Sequence, residues 1–105
     1  MRAIDRFMFT LEVYSDPPGA HIYNDANGHD LGETKANHPI RLYLPCNELP
    51  AEWHLTAKKP GYKPTHYTSR LLERDCKNEG IGTNGVNYWK CGTRKLTMVL
   101  ESETK

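Results

Sequence analysis

The residues best suited to chemistry are five histidines, three cysteines and one glycine-rich run. Gly80-Ile-Gly-Thr-Asn-Gly85 fits the G-x-G-x-x-G spacing letter for letter. A pyrophosphate site needs that run between a strand and a helix whose N-terminus faces the phosphates. Asn87, Tyr88 and Trp89 follow with no helical pattern before Gly92, so the run reads as a flexible loop. Asp25, Asn27, Gly28 and Asp30 imitate a calcium loop. The frame that sets Gly28 at the loop glycine leaves Tyr23 at the first ligand and Thr34 at the bidentate position, and neither serves. An Asn27-Gly28 hairpin turn explains the same residues. His21, His29 and His38 could converge on a metal if the hairpin and the next loop fold together. His54 and His66 fall on outward positions of neighbouring strands. With no H-x-x-x-H or C-x-x-C spacing, the five read as dispersed surface imidazoles, and neither metal nor cofactor is expected. Ser15, Ser69 and Ser102 lack a G-x-S-x-G frame. Cys46 with His54 could act only through a fold that brings them together. Glu73 and Asp75 read as solvated loop carboxylates. No catalytic constellation emerges, and the chain is expected not to be an enzyme.

Two residue classes remain. Cys76 and Cys91 bracket the polar, glycine-rich residues 77–90. A disulfide closing a loop of about 15 residues contributes about 3 kcal/mol where the geometry fits. The other reading is three reduced thiols in a cytosolic protein. A 76–91 bridge leaves Cys46 unpaired. The aromatics point to binding. Tyr14, Tyr23 and Tyr43 fall on the polar phase of their strands, and Tyr88 and Trp89 lie among polar neighbours. Exposed aromatics stack on sugar rings or anchor protein partners. Tyr88, Trp89 and Tyr43 are the candidate anchors.

Charge excludes more than it assigns. Lys and Arg number 14 against 13 Asp and Glu, for a net charge of +1. Lys58, Lys59, Lys63, Arg70, Arg74, Lys90, Arg94 and Lys95 cluster beside Tyr62, Tyr67 and Trp89, but acidic residues are interspersed. Solvated strand faces are the simpler account, and no nucleic-acid partner is expected. No run approaches the roughly 20 apolar residues of a membrane helix. Residues 7–13 are too short and too polar for a signal h-region. Two compartments stay open: the cytoplasm, or export directed by a segment outside this sequence.

The elements that must position these residues show a period of two. Phe7, Phe9, Leu11 and Val13 alternate with Met8, Thr10, Glu12 and Tyr14, which predicts a half-buried strand. Residues 20–23, 29–31, 40–44, 53–57, 65–72 and 96–100 read as further short strands. Pro- and Gly-rich turns separate them. Residues 45–50 read as a loop, residues 73–94 as a polar insertion, and residues 102–105 as a frayed end. Hydrophobic residues make up 37% of the chain, so the core should be thin. The expectation is all-β: one domain over residues 1–105, a small antiparallel β-sandwich of six or seven short strands.

The turn residues add a resemblance. Ser15-Asp-Pro-Pro-Gly-Ala20, Ile22, Asn27-Gly28, Leu31-Gly-Glu-Thr34 and Lys59-Pro-Gly-Tyr62 occur in an order and spacing that resembles the PEGA domain. The likeness spans residues 11–100. It departs at Pro18, where the family's name has Glu, at Lys35, in the longer 45–52 loop, and in residues 73–94. Pro17, Gly19, Ala20, Gly28, Gly32, Gly61 and Tyr62 are the fold-marking positions, and none is a catalytic group. The resemblance implies a non-catalytic module similar to parts of bacterial envelope proteins, surface proteins and lipoproteins. Such a module would recognise a protein or a cell-wall glycan, or serve as a spacer acting through sheet edges. A small metal-binding protein is a third option. Oligomeric state is not legible in the sequence.

Overall fold

The computed structural model describes residues 4–103. Eight strands form two four-stranded sheets. They are β1 (Ile4–Asp16), β2 (His21–Asn24), β3 (His29–Glu33), β4 (Ile40–Tyr43), β5 (Ala51–Lys58), β6 (Thr65–Leu71), β7 (Lys77–Ile81) and β8 (Val86–Val99). A single 3-10 turn, Glu73–Asp75, precedes β7. Sheet A has the order β4-β1-β8-β7 and sheet B the order β3-β2-β5-β6. Sheet B is antiparallel throughout. Sheet A is mixed, because β1 and β8 run parallel over most of their lengths.

The two sheets bury one core. Phe9, Leu11 and Val13 of β1 and Leu96, Met98 and Leu100 at the end of the chain face Ile22, Leu55, Ala57 and Leu71 of sheet B. Alternation supplies these residues, since successive side chains on a strand point to opposite faces. Phe9 stacks on Trp53 with ring centroids 5.4 Å apart, which joins the sheets near the start of β5. Arg94 adds a polar clasp at the same level. It donates to the Arg70 carbonyl at 2.8 Å and to Ser69 at 3.3 Å, and its guanidinium lies over the Phe9 ring.

The turn residues meet at a hydroxyl. Thr34, fully buried, accepts hydrogen bonds from the backbone N–H groups of Gly19 at 3.1 Å and Ala20 at 3.0 Å. The Ser15 and Thr34 hydroxyls share a 2.5 Å hydrogen bond, and each also reaches a carbonyl, Ser15 that of Pro17 at 2.8 Å and Thr34 that of Ala20 at 3.3 Å. The 15–20 turn is thereby fastened to the end of β3. Gly19 has φ +95°, and a Cβ there would come within 2.7 Å of the Lys59 amine. Glycine is the residue that this turn tolerates. Tyr62 lies against the core, at a corner closed by a Lys59-to-Tyr62 turn.

Five sequence expectations need correction. The strands number eight, two of them long, and one pairing is parallel. Residues 73–94, read as a polar insertion without strands, hold the 3-10 turn, β7 and the first half of β8. The glycine-rich run is the β7–β8 hairpin, with Gly85 donating to the Gly82 carbonyl and Gly82 to the Val86 carbonyl. Ser102 is not frayed, since it bridges to Tyr62, and Glu103 donates to the Gly61 carbonyl. Thr104 and Lys105 lie outside the described residues. The β2–β3 connection also differs from a two-residue Asn-Gly turn, because Asn24 pairs with His29 across four residues.

The long strands outrun sheet B. The molecule measures 59 × 25 × 21 Å with a radius of gyration of 16.2 Å. A compact chain of about 100 residues has a radius near 13 Å. Residues 4–8 of β1, all of β7 and residues 86–91 of β8 form a three-stranded arm whose one fully buried side chain is Phe7. Phe7 stands outside the core cluster and stacks on Trp89, centroids 5.3 Å apart. The Cys76–Cys91 disulfide ties the start of β7 to β8 where arm meets body.

Candidate functional site

A bulge decides which arm residues face which way. Lys90 pairs with Met8 and Thr93 with Thr10, so β8 uses one residue more than β1 between them. The extra residue reverses the inward and outward phase of β8. Gly92 absorbs the distortion with φ +73°. Beyond the bulge, Leu96 and Met98 point inward. Before it, Trp89 shares the inner face with Phe7, and Tyr88 and Lys90 fall on the outer face with Arg6 and Met8.

The three candidate anchors are therefore divided. Tyr43 is 71% exposed on the outer face of sheet A, opposite Thr10. Beside it lies a groove of about 200 Å³, whose lining includes Met8, Thr10, Tyr43, Lys90, Gly92 and Thr93. Gly92, at the bulge, forms part of its floor and has no side chain to fill it. Tyr88 shares the face but is half-buried; its hydroxyl accepts from Asn84 at 2.9 Å, and its ring lies over the hairpin turn. Trp89 is half-buried on the opposite face. Its Nε1 donates to Asp5 at 3.2 Å, and Asn87 donates to the same carboxylate oxygen at 2.9 Å. Asn78 extends the ladder by donating to Asn87.

Charge on the outer face is uneven. Glu12, 7% exposed, takes both Nε and Nη2 of Arg41 on one oxygen, at 3.0 and 2.6 Å. That hydrogen bond, and then the carboxylate's charge, hold the Arg41 guanidinium above its ordinary pKa. Toward the arm the face carries Arg6, Lys77 and Lys90, for which no carboxylate partner occurs among the described residues. Periodicity could not have found Met8 or Lys90 as Tyr43's neighbours, because Met8 reaches Tyr43 through the antiparallel β1–β4 register and Lys90 reaches Met8 through the parallel register of β1 and β8.

His21, His29, His54 and His66 lie on strands of sheet B and His38 in the β3–β4 connection, and they do not converge. His21 has Asp30 at 2.8 Å on one ring nitrogen and Glu33 at 3.5 Å on the other, which leaves the two carboxylates on opposite sides of the imidazole. The Gly32 N–H chiefly lowers the Asp30 pKa, against a smaller desolvation effect and with help from His21. His66 Nδ1 contacts Thr56, which donates to Asp25 at 2.6 Å; with that proton committed, His66 is the donor. This Asp-Thr-His array resembles a relay, but Asp25 and His66, its two ends, are exposed to solvent. Among the described residues no three His, Cys, Asp or Glu side chains are grouped to hold a metal. Asp75 accepts from the Leu72 N–H and lies 3.6 Å from Arg94, so it closes the 3-10 turn. Cys46 pairs by backbone with Phe7, and partial burial pushes its thiol pKa up. No described helix is long and apolar enough to cross a membrane.

Comparison with known proteins adds no assignment: no family model matches the chain, and no curated protein matches it.

Proposed function

We propose that this chain is a PEGA-like, non-catalytic binding module of the bacterial cell envelope, and that it recognises a cell-wall glycan on the outer face of sheet A. The observation that carries the reading is the groove beside Tyr43. It pairs one highly exposed aromatic ring with the hydroxyls of Thr10 and Thr93 and a floor opened by Gly92. Stacking of a sugar ring on an aromatic face, with polar groups at the rim, is the recognition chemistry that such a surface offers. Its volume falls below the 300 Å³ or so of a typical drug-sized pocket, which suits one sugar unit of a longer chain. A protein partner is less well served: of the large exposed apolar side chains, Tyr67 is on sheet B, and Ile4, Met8, Tyr43, Ile81 and Val99 are strung along four strands of sheet A, with Met8 and Tyr43 alone among them lining the groove. The Cys76–Cys91 disulfide supports an oxidising, extracytoplasmic compartment.

The 59 Å length favours a second reading, a spacer that acts through the edges of the sheets. Titration calorimetry with soluble cell-wall oligosaccharides separates the two. The glycan reading expects saturable binding that Tyr43→Ala weakens at least tenfold with an unchanged melting temperature. Absence of binding, or binding indifferent to Tyr43, contradicts it.

A further inference from the structure

Lys77 and Lys90 occupy directly opposed positions on the antiparallel strands β7 and β8, both exposed. Like charges placed so are destabilising. Lys90 is also the neighbour of Met8 across the parallel pair, and Arg6 follows one step along the same face. The acid of β7, Glu79, sits at the register shift between Asn78 and Gly80 and pairs with no residue of β8. Asp5 belongs to the opposite face, where it holds Trp89 and Asn87. Glu12 is committed to Arg41. A chain of net charge +1 thus places three cations, with no carboxylate partner among the described residues, on one stretch of sheet, against the local interest of that sheet. Local conflicts of this kind mark sites kept for function.

We propose that the outer face of the arm binds an anionic glycan: Lys77, Lys90 and Arg6 hold successive carboxylate or phosphate groups while one sugar ring lies against Tyr43. This inference rests on the glycan reading above and names its ligand class. Charge complementarity selects the occupant, because an anion between Lys77 and Lys90 turns a repulsion into two attractions. A single-stranded nucleic acid fits less well. It needs several stacking rings in succession, whereas Tyr43 is the freely exposed ring here and Tyr88 is fixed over its turn.

The test uses four probes on the full chain: oligogalacturonate, its methyl ester, a glycerol-phosphate oligomer and oligo-dT. Methyl esterification removes the charge and keeps the sugar chain. The proposal expects an anionic probe to bind at least tenfold tighter than the ester, with affinity falling steeply as salt rises. Lys77→Gln should lower that affinity several-fold and raise the melting temperature, because it relieves the repulsion. Equal binding of acid and ester overturns the proposal and leaves the glycan reading standing. Binding of oligo-dT above both acidic glycans overturns it in favour of nucleic acid. No binding of any probe above background, or a Lys77→Gln protein that binds undiminished, overturns it outright.

Discussion

The body and the arm share two strands and are held together by different means. In the body, β1 and β8 are covered by sheet B, and Leu11, Val13, Ala20, Ile22, Ala57 and Leu71 are wholly buried. In the arm, the same strands bury Phe7 alone and rely on ladder hydrogen bonds, the Asp5–Asn87–Asn78 and Asp5–Trp89 contacts, and one disulfide. Burial gives the body a stable fold but leaves it few free groups. The arm is poor in burial and rich in unpaired charge, and its junction with the body carries the groove. On the proposed reading, the chain separates stability from recognition along the length of a single sheet.

That contrast can be broken at either end. Leu11→Ala removes a fully buried side chain from the middle of the core, and chemical denaturation should show a loss of about 2–5 kcal/mol. A loss below about 1 kcal/mol would mean that the body is not the stabilising region. Replacing Cys76 and Cys91 by Ser should cost about 2–4 kcal/mol globally, in line with typical disulfides. Hydrogen exchange sharpens the point: amides of β7 and residues 86–91 should lose protection while those of β2 and β5 keep theirs relative to the global stability. Uniform loss in both regions would contradict the division. Thr34→Val strips the acceptor from the Gly19 and Ala20 N–H groups, and should cost about 1–3 kcal/mol.

The smallest effect concerns acid. Asp30 has a lowered pKa in the folded chain, so its contribution is complete above the ordinary carboxylate value of about 4 and is lost as pH falls through the lower folded value. The stability gap between the native chain and Asp30→Asn should therefore be constant from pH 7 to 5 and close below about pH 4. A gap that widens on acidification would reverse the assigned sign.

The body was legible in the sequence where burial is one-sided. Phe7, Phe9, Leu11 and Val13 announce β1, and Leu96, Met98 and Leu100 announce the end of β8, because each alternates against polar residues. The arm was hidden for the converse reason. Val86 to Cys91 buries no side chain fully, so no apolar phase marks it; pairing with β1 on one side and β7 on the other makes it a strand. The bulge at Cys91-Gly92 then hid the site. Extending the Leu96 phase backwards puts Trp89 outside and Lys90 inside, the reverse of their places. Tyr43 was legible as an outward residue of β4. Its neighbours Met8 and Lys90 were not, since the pattern of a single strand does not say which strands it pairs with or in which register. Resemblance to PEGA turns drew attention to residues 15–20 and 31–34, and those residues do meet, at the Thr34 hydroxyl.

The most direct test of recognition at the arm–body junction is residue-resolved NMR titration of the chain with an acidic glycan oligomer. Shift changes should concentrate at Arg6, Met8, Tyr43, Lys77, Lys90 and Thr93, with the outer face of sheet B around His54 and His66 undisturbed. Changes centred on sheet B, or on the Trp89 face of the arm, would contradict the account.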